Sequence, residues 1–143
     1  MILLVAAGLL LGSCGGTEVL STNDEQRELW DSAGVTAYEY ELALDCFCPP
    51  EVAGPFNVAV ADGAAVEVAR VTSPQDPVAV DEIMNGTIEA IFDFIGENAD
   101  ADLLEVTYHA ELGYPVTVVV DPSDGVLDDE LSITVQSFRS SDG

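Results

Sequence analysis

The residues with the types and spacing for chemistry are a cysteine pair, one histidine and a set of acids towards the C-terminus. Cys46 and Cys48 are separated by one residue. In an extended strand, side chains two apart project on the same face, with their alpha carbons near the upper limit for a disulfide. Pro49-Pro50 then bends the chain away. A disulfide is the default state in an oxidising compartment. So small a loop gains little closure entropy, and a strained bridge is easily reduced. A local structural clip is the expected use, with a thiol-redox site as the alternative. His109 is the single histidine, so any His-dependent triad or general base must use it. No Gly-x-Ser-x-Gly elbow accompanies it, and a surface histidine is expected. Cys46, Cys48 and His109 lack the spacing of a zinc finger or ribbon, so no metal is assigned. Asp121-Pro122-Ser123-Asp124-Gly125 is similar to a calcium loop, but its Gly falls one place early and no helices flank it. The plain reading is a turn between two strands. Asp128-Asp129-Glu130 beside it could bind calcium weakly. Gly113-Tyr114-Pro115 suits a strand start, and an exposed Tyr there is a common recognition element. Tyr114, Asp121, Asp128, Asp129 and Glu130 are therefore the candidate binding loop. No catalytic residue and no cofactor is assigned.

The third cysteine, Cys14, closes the sequence Leu11-Gly12-Ser13-Cys14. It follows the apolar run Ile2 to Leu11, which is too short for a bilayer span of about 20 residues. The run fits the hydrophobic region of a secretory signal, although no Lys or Arg precedes it; the expectation is that a basic stretch and the true start lie upstream of Met1. The last four residues look like a bacterial lipobox. Small side chains let a peptidase grip extended backbone, and the thiol of the new N-terminal Cys takes diacylglycerol. Two or three acyl chains then anchor stably where one does not. Using Cys14 for lipid also removes the odd cysteine expected to trouble an exported protein. The expected layout is a signal peptide over 1–13, a lipidated tether over 14–22 and one acidic domain over 23–143. The expected location is extracytoplasmic, anchored to the outer face of the membrane.

Charge narrows the partners. The chain has 27 Asp and Glu against Arg27, Arg70 and Arg139, and its formal net charge is -24. Such a field repels nucleic-acid phosphates and anionic headgroups, which excludes DNA and RNA as partners. The acids are spread along the chain, not collected in a tail, so a charge-driven disordered block is not expected. A solvated acidic surface is the plain reading, and a docking face for a basic partner or divalent cations the sharper one. The roughly 130 residues beyond the signal suffice for a single core.

Periodicity gives the elements that must position these residues. Asn23 or Asp24 caps a helix that turns Leu29, Trp30 and Ala33 inward and stops at Gly34. Tyr38, Tyr40, Leu42, Leu44 and Cys46 alternate with polar residues as a half-buried strand. Phe56, Val58 and Val60 form a second, and Asp62-Gly63 a tight hairpin turn. A third, with Val66 and Val68, runs to about Val71. Ser73 to Pro77 reads as a loop. A helix follows within Asp81 to Asn98, with Met84, Ile88, Ile91, Phe92 and Ile95 as its apolar stripe; Gly86 moves its start towards Thr87. Strands at Leu104–Tyr108, Val116–Val120 and Leu131–Val135 complete the chain. The expected fold is α+β: a mainly antiparallel sheet of about six strands, two helices packed on one face, in the order α-β-β-β-α-β-β-β.

Trp30, Tyr38-Glu39-Tyr40, Cys46-Phe47-Cys48, the helix Thr87-Ile88-Glu89-Ala90-Ile91-Phe92, Tyr108, Gly113-Tyr114-Pro115, Asp121 and Asp128-Asp129-Glu130 form an ordered set. Together they resemble a bacterial lipoprotein family carrying the domain of unknown function 6174, from about Leu29 to Phe138. The resemblance implies an anchored extracytoplasmic protein and brings no catalytic residues. The function expected is a non-catalytic binding or interaction module, its partners the membrane through the lipid and a protein with a basic surface. The alternatives are a thiol-redox protein using Cys46 and Cys48 and a calcium-dependent binding protein.

Overall fold

Alternation along the strands decides which face of the sheet is covered. The structure, a computed structural model, describes residues 15–78 and 84–142. The expected signal peptide, Cys14 and the stretch 79–83 lie outside the described residues. Strand β1 (Tyr38–Cys46) buries Tyr38, Tyr40, Leu42 and Leu44 and turns Glu39, Glu41 and Asp45 the other way. Strand β2 (Phe56–Ala61) buries Phe56, Val58 and Val60 in register with it. β2 turns into β3 (Ala64–Arg70) through Asp62 and Gly63, both at positive φ. That is the geometry a two-residue hairpin of the primed type requires. The chain continues through β4 (Ser73–Pro77), then, after the stretch that is not described, helix α3 (Ile88–Glu97), β5 (Leu103–Tyr108), β6 (Pro115–Asp121) and β7 (Leu131–Ser140). Helix α1 (Gly15–Ala33) precedes β1, and a single helical turn, α2 (Pro50–Ala53), follows it.

All strands join one antiparallel sheet in the order β4-β3-β2-β1-β7-β6-β5. The last strand inserts beside the first, so β1 and β7 form the centre. Both long helices cover the face lined by Tyr38, Leu42, Val118 and Ile133. α3 contributes Ile88, Ile91, Phe92 and Ile95, all buried. Each such side chain contributes about 1.5–3 kcal/mol by leaving water. The opposite face stays open, lined by Ser, Thr, Ala and acids. The fold class and element order match the expectation, with seven strands and not six.

Several local expectations need correction. Ser73–Pro77 is a strand, not a loop: it pairs with β3 as the sheet edge, a position where prolines are tolerated because no further strand needs their missing N–H. The helix starts at Gly15, so residues expected as a tether are helical. Asn23 is therefore not a cap. It is buried mid-helix, donating its side-chain amide to the Phe92 carbonyl (3.2 Å) and accepting from the Tyr108 hydroxyl (3.0 Å). These tertiary partners hold the helix past the position where Asn alone would end it. Trp30 is buried as expected, but Leu29 and Ala33 face outward, because the inward stripe runs through Val19, Asn23 and Trp30. Val66 is 64% exposed: a bulge pairs Glu67 with Ala59 but Ala65 with Val60, and Val66 is the extra residue.

Candidate functional site

Between α1, α3 and the start of β1 lies a cluster of polar groups within the core. Thr87 caps α3, its hydroxyl accepting from Ala90 N–H at 3.2 Å. Within the first turn, the Glu89 carboxylate accepts from Trp30 Nε1 at 2.8 Å and from the Tyr38 hydroxyl at 3.2 Å. The same hydroxyl accepts the backbone N–H of Ile88 at 2.9 Å, and Tyr40 donates to the Gly86 carbonyl at 3.0 Å. Burial holds the Tyr38 and Tyr40 phenols far above the ordinary tyrosine range; the nearby Glu89 charge adds to it. Every group here has a partner inside the fold. The cluster is a set of struts that pins two helices to the sheet.

His109 is likewise committed to structure. Its Nδ1 accepts the backbone N–H groups of Glu111 (3.3 Å) and Leu112 (3.2 Å), closing the turn into Gly113. Its ring stacks on Tyr114 with centroids 4.8 Å apart. Tyr114 is only 7% exposed, stacks in turn on Phe138, and both rings meet Trp30 edge-on. The expectation of an exposed recognition Tyr is corrected: Tyr114 is a core aromatic. Phe138 reaches this stack because Ser137, at positive φ, shifts the β1–β7 register and rephases the strand.

The remaining expected residues gather at the opposite end of β6. Tyr114 adjoins the first residue of β6 and Asp121 is its last, about 20 Å apart at the rise of a strand. The candidate loop is thus split, and only its acidic part forms one place. Cys46 ends β1, and the chain bends at Phe47 and Cys48. That bend brings the two alpha carbons to 5.2 Å with the sulfurs at bonding distance, well inside the disulfide range and not at its limit. The expectation assumed straight strand through Cys48; the bend removes it.

Beside this bend the β6–β7 connection folds over. Ser123 N–H donates to Asp121 (3.1 Å), and Asp124 N–H to the Asp102 carboxylate (2.8 Å). One Asp129 carboxylate oxygen is buried without a partner. Desolvation raises that carboxyl above the ordinary range, and the neighbouring Asp121 charge raises it further. Between the two loops is an open hollow of about 340 Å³. It is lined by the apolar side chains of Phe47, Val126 and Leu127 and by the carboxylates of Asp45, Asp121, Asp124, Asp128 and Glu130. Phe47 is 82% and Leu127 90% exposed, the two most exposed large apolar side chains among the described residues. Among those residues, no three His, Cys, Asp or Glu side chains are grouped to hold a metal ion.

Phe47 was named only within the Cys46-Phe47-Cys48 motif and Leu127 not at all; neither was expected as a binding residue. The available signal was an aromatic between two cysteines, on the outward phase of β1, and an apolar Val126-Leu127 pair inside an otherwise acidic turn.

The molecule is thus an α+β protein: seven antiparallel strands, two long helices on one face, and at one end a carboxylate-lined hollow bordered by exposed apolar side chains. Residues 22–140 match the model of a family of unknown function, DUF6174, and the chain belongs to that family. No curated protein and no solved structure matches it.

Proposed function

We propose that the chain is an exported lipoprotein, acylated at Cys14 and held on the outer face of the membrane, that works by binding and not by catalysis. One observation carries the reading: an apolar run ending in Leu11-Gly12-Ser13-Cys14 stands directly before an acidic folded domain. No described helix is long and apolar enough to cross a membrane, so the anchor in this reading is the lipid. The side chains with catalytic potential support the binding role, since His109 and Glu89 serve the fold through the hydrogen bonds above. What the surface offers a partner is its negative charge, which suits a protein with a basic face. Fractionation of the producing cells tests this. The native chain is expected in the membrane fraction and Cys14→Ser in the soluble extracytoplasmic fraction. Equal distribution of the two, or steady turnover of a substrate by the purified protein, would overturn it.

A further inference from the structure

We infer that the hollow between Phe47 and Leu127 is a docking site for a cationic peptide segment of a partner protein that carries an apolar anchor residue. The inference deepens the binding role proposed above and rests on it.

Two properties of the hollow point the same way. The first is apolar exposure out of place. Phe47 and Leu127 sit on two separate loops, and both side chains border the same depression while standing largely in solvent. Leaving an aromatic and a leucine in water forgoes about 1.5–3 kcal/mol each. Scattered exposed apolar residues need no explanation, but a pair bordering one hollow has the form of an interface centre. The Cys46–Cys48 pairing brackets Phe47, and the Asp124–Asp102 hydrogen bond ties down the other loop. Holding both loops reduces the ordering entropy lost on binding.

The second property is charge. Five carboxylates line the hollow and no Arg does. Arg27 is paired with Asp93 at 2.6 Å and Arg139 with Glu39 at 3.1 Å, and Arg70 lies over the Phe56 ring. A ligand that is both apolar and basic satisfies the site. An Arg- or Lys-flanked aromatic or aliphatic residue has that form. A lipid surface fits less well, because anionic headgroups repel the carboxylates and these lose water on entering the interface.

Position limits the partner further. A Cβ on Gly16 would lie 2.8 Å from the Ala99 carbonyl, so the start of α1 is seated on the α3–β5 connection. That connection holds the hollow's loop through Asp102 and Asp124. The described start of α1 and the hollow therefore lie at one end of the molecule. The cationic segment is one displayed close to the membrane surface.

The test uses the full chain purified from its own membranes into phosphatidylcholine nanodiscs. The probe is a fluorescent synthetic peptide alternating Arg and Trp; the controls replace Trp by Gly, or Arg by Glu. The Arg-Trp peptide is expected to bind, with an affinity that falls as salt rises. Phe47→Ser with Leu127→Ser is expected to weaken it about tenfold or more, as loss of an interface anchor does. Asp124→Asn with Asp128→Asn is expected to weaken it by a similar factor and flatten the salt dependence. All four positions are exposed, and unchanged near-ultraviolet dichroism verifies that the variants fold. Equal binding of the Gly-substituted peptide, or no loss in the Phe47/Leu127 variant, overturns the site and leaves only a diffuse acidic field. A blue shift of Phe47→Trp fluorescence on phosphatidylcholine alone overturns it in favour of membrane insertion. A failed site leaves the parent role standing if Cys14-dependent membrane fractionation persists.

Discussion

Glu89 is the residue whose loss the fold should feel most directly. It receives the indole N–H of Trp30 and the phenol of Tyr38, and neither donor has room to find water where it is buried. Glu89→Ala leaves both unpaired, at a cost of about 1–3 kcal/mol for each buried donor. Glu89→Gln keeps one acceptor and should lose less. Urea titration measures both, and a neutral Glu89→Ala would refute the strut role. The tyrosines give a second prediction at this scale. Burial pushes Tyr108 up to about 12 and Tyr38 and Tyr40 further, whereas unfolded phenols ionise near 10. Above about pH 10 the unfolded chain therefore holds fewer protons than the folded one, and stability falls as pH rises. Urea midpoints measured from about pH 8 to about pH 11 should be level at first and then decline, and less steeply in Tyr108→Phe. A level profile throughout would contradict the burial of these phenols.

Among the elements, α1 depends on close approach to the β5–β6 turn. Gly113 has φ 78°, and a Cβ there would lie 2.5 Å from the Gln26 carbonyl oxygen. Gly113→Ala should cost roughly 1–2 kcal/mol for the left-handed backbone alone, plus the displacement of α1. A thermal melt reads the loss; an unchanged melting temperature would mean α1 does not sit against this turn. Elements whose side chains alternate or repeat cleanly were legible in the sequence: β1, β2, the Asp62-Gly63 turn and α3 all follow their own periodicity. The misread ones were decided from outside the segment. β4 is a strand only because β3 offers it an edge, and its prolines hid it. The first half of α1 has little apolar periodicity of its own, and it is held by Val19 and by the Asn23 hydrogen bonds to residues about seventy or more positions away. The site shows the same division. The Cys46–Cys48 pair and the acids of 121–130 were evident by type. The hollow was not, because it exists only where the β1 and β6–β7 loops meet.

For the whole molecule, charge is the dominant variable. Twenty-seven acids oppose three arginines, and the two ion pairs found among the described residues, Arg27–Asp93 and Arg139–Glu39, contribute about 0–1 kcal/mol each. Self-repulsion outweighs them, so added sodium chloride should raise the melting temperature by screening it. A fall on adding salt would show that the ion pairs matter more than the net charge. The central claim concerns the same molecule at the membrane: its N-terminal residue is an acylated Cys14, and the acidic body is held outside the cell by that lipid. Intact-mass measurement of the protein extracted from its own cells tests it most directly. The expected mass is that of the chain beginning at Cys14, carrying diacylglycerol and lacking the two hydrogens of a Cys46–Cys48 bond. A chain still beginning upstream of Cys14, with that thiol unmodified and recovered from the cytosol, would contradict the account.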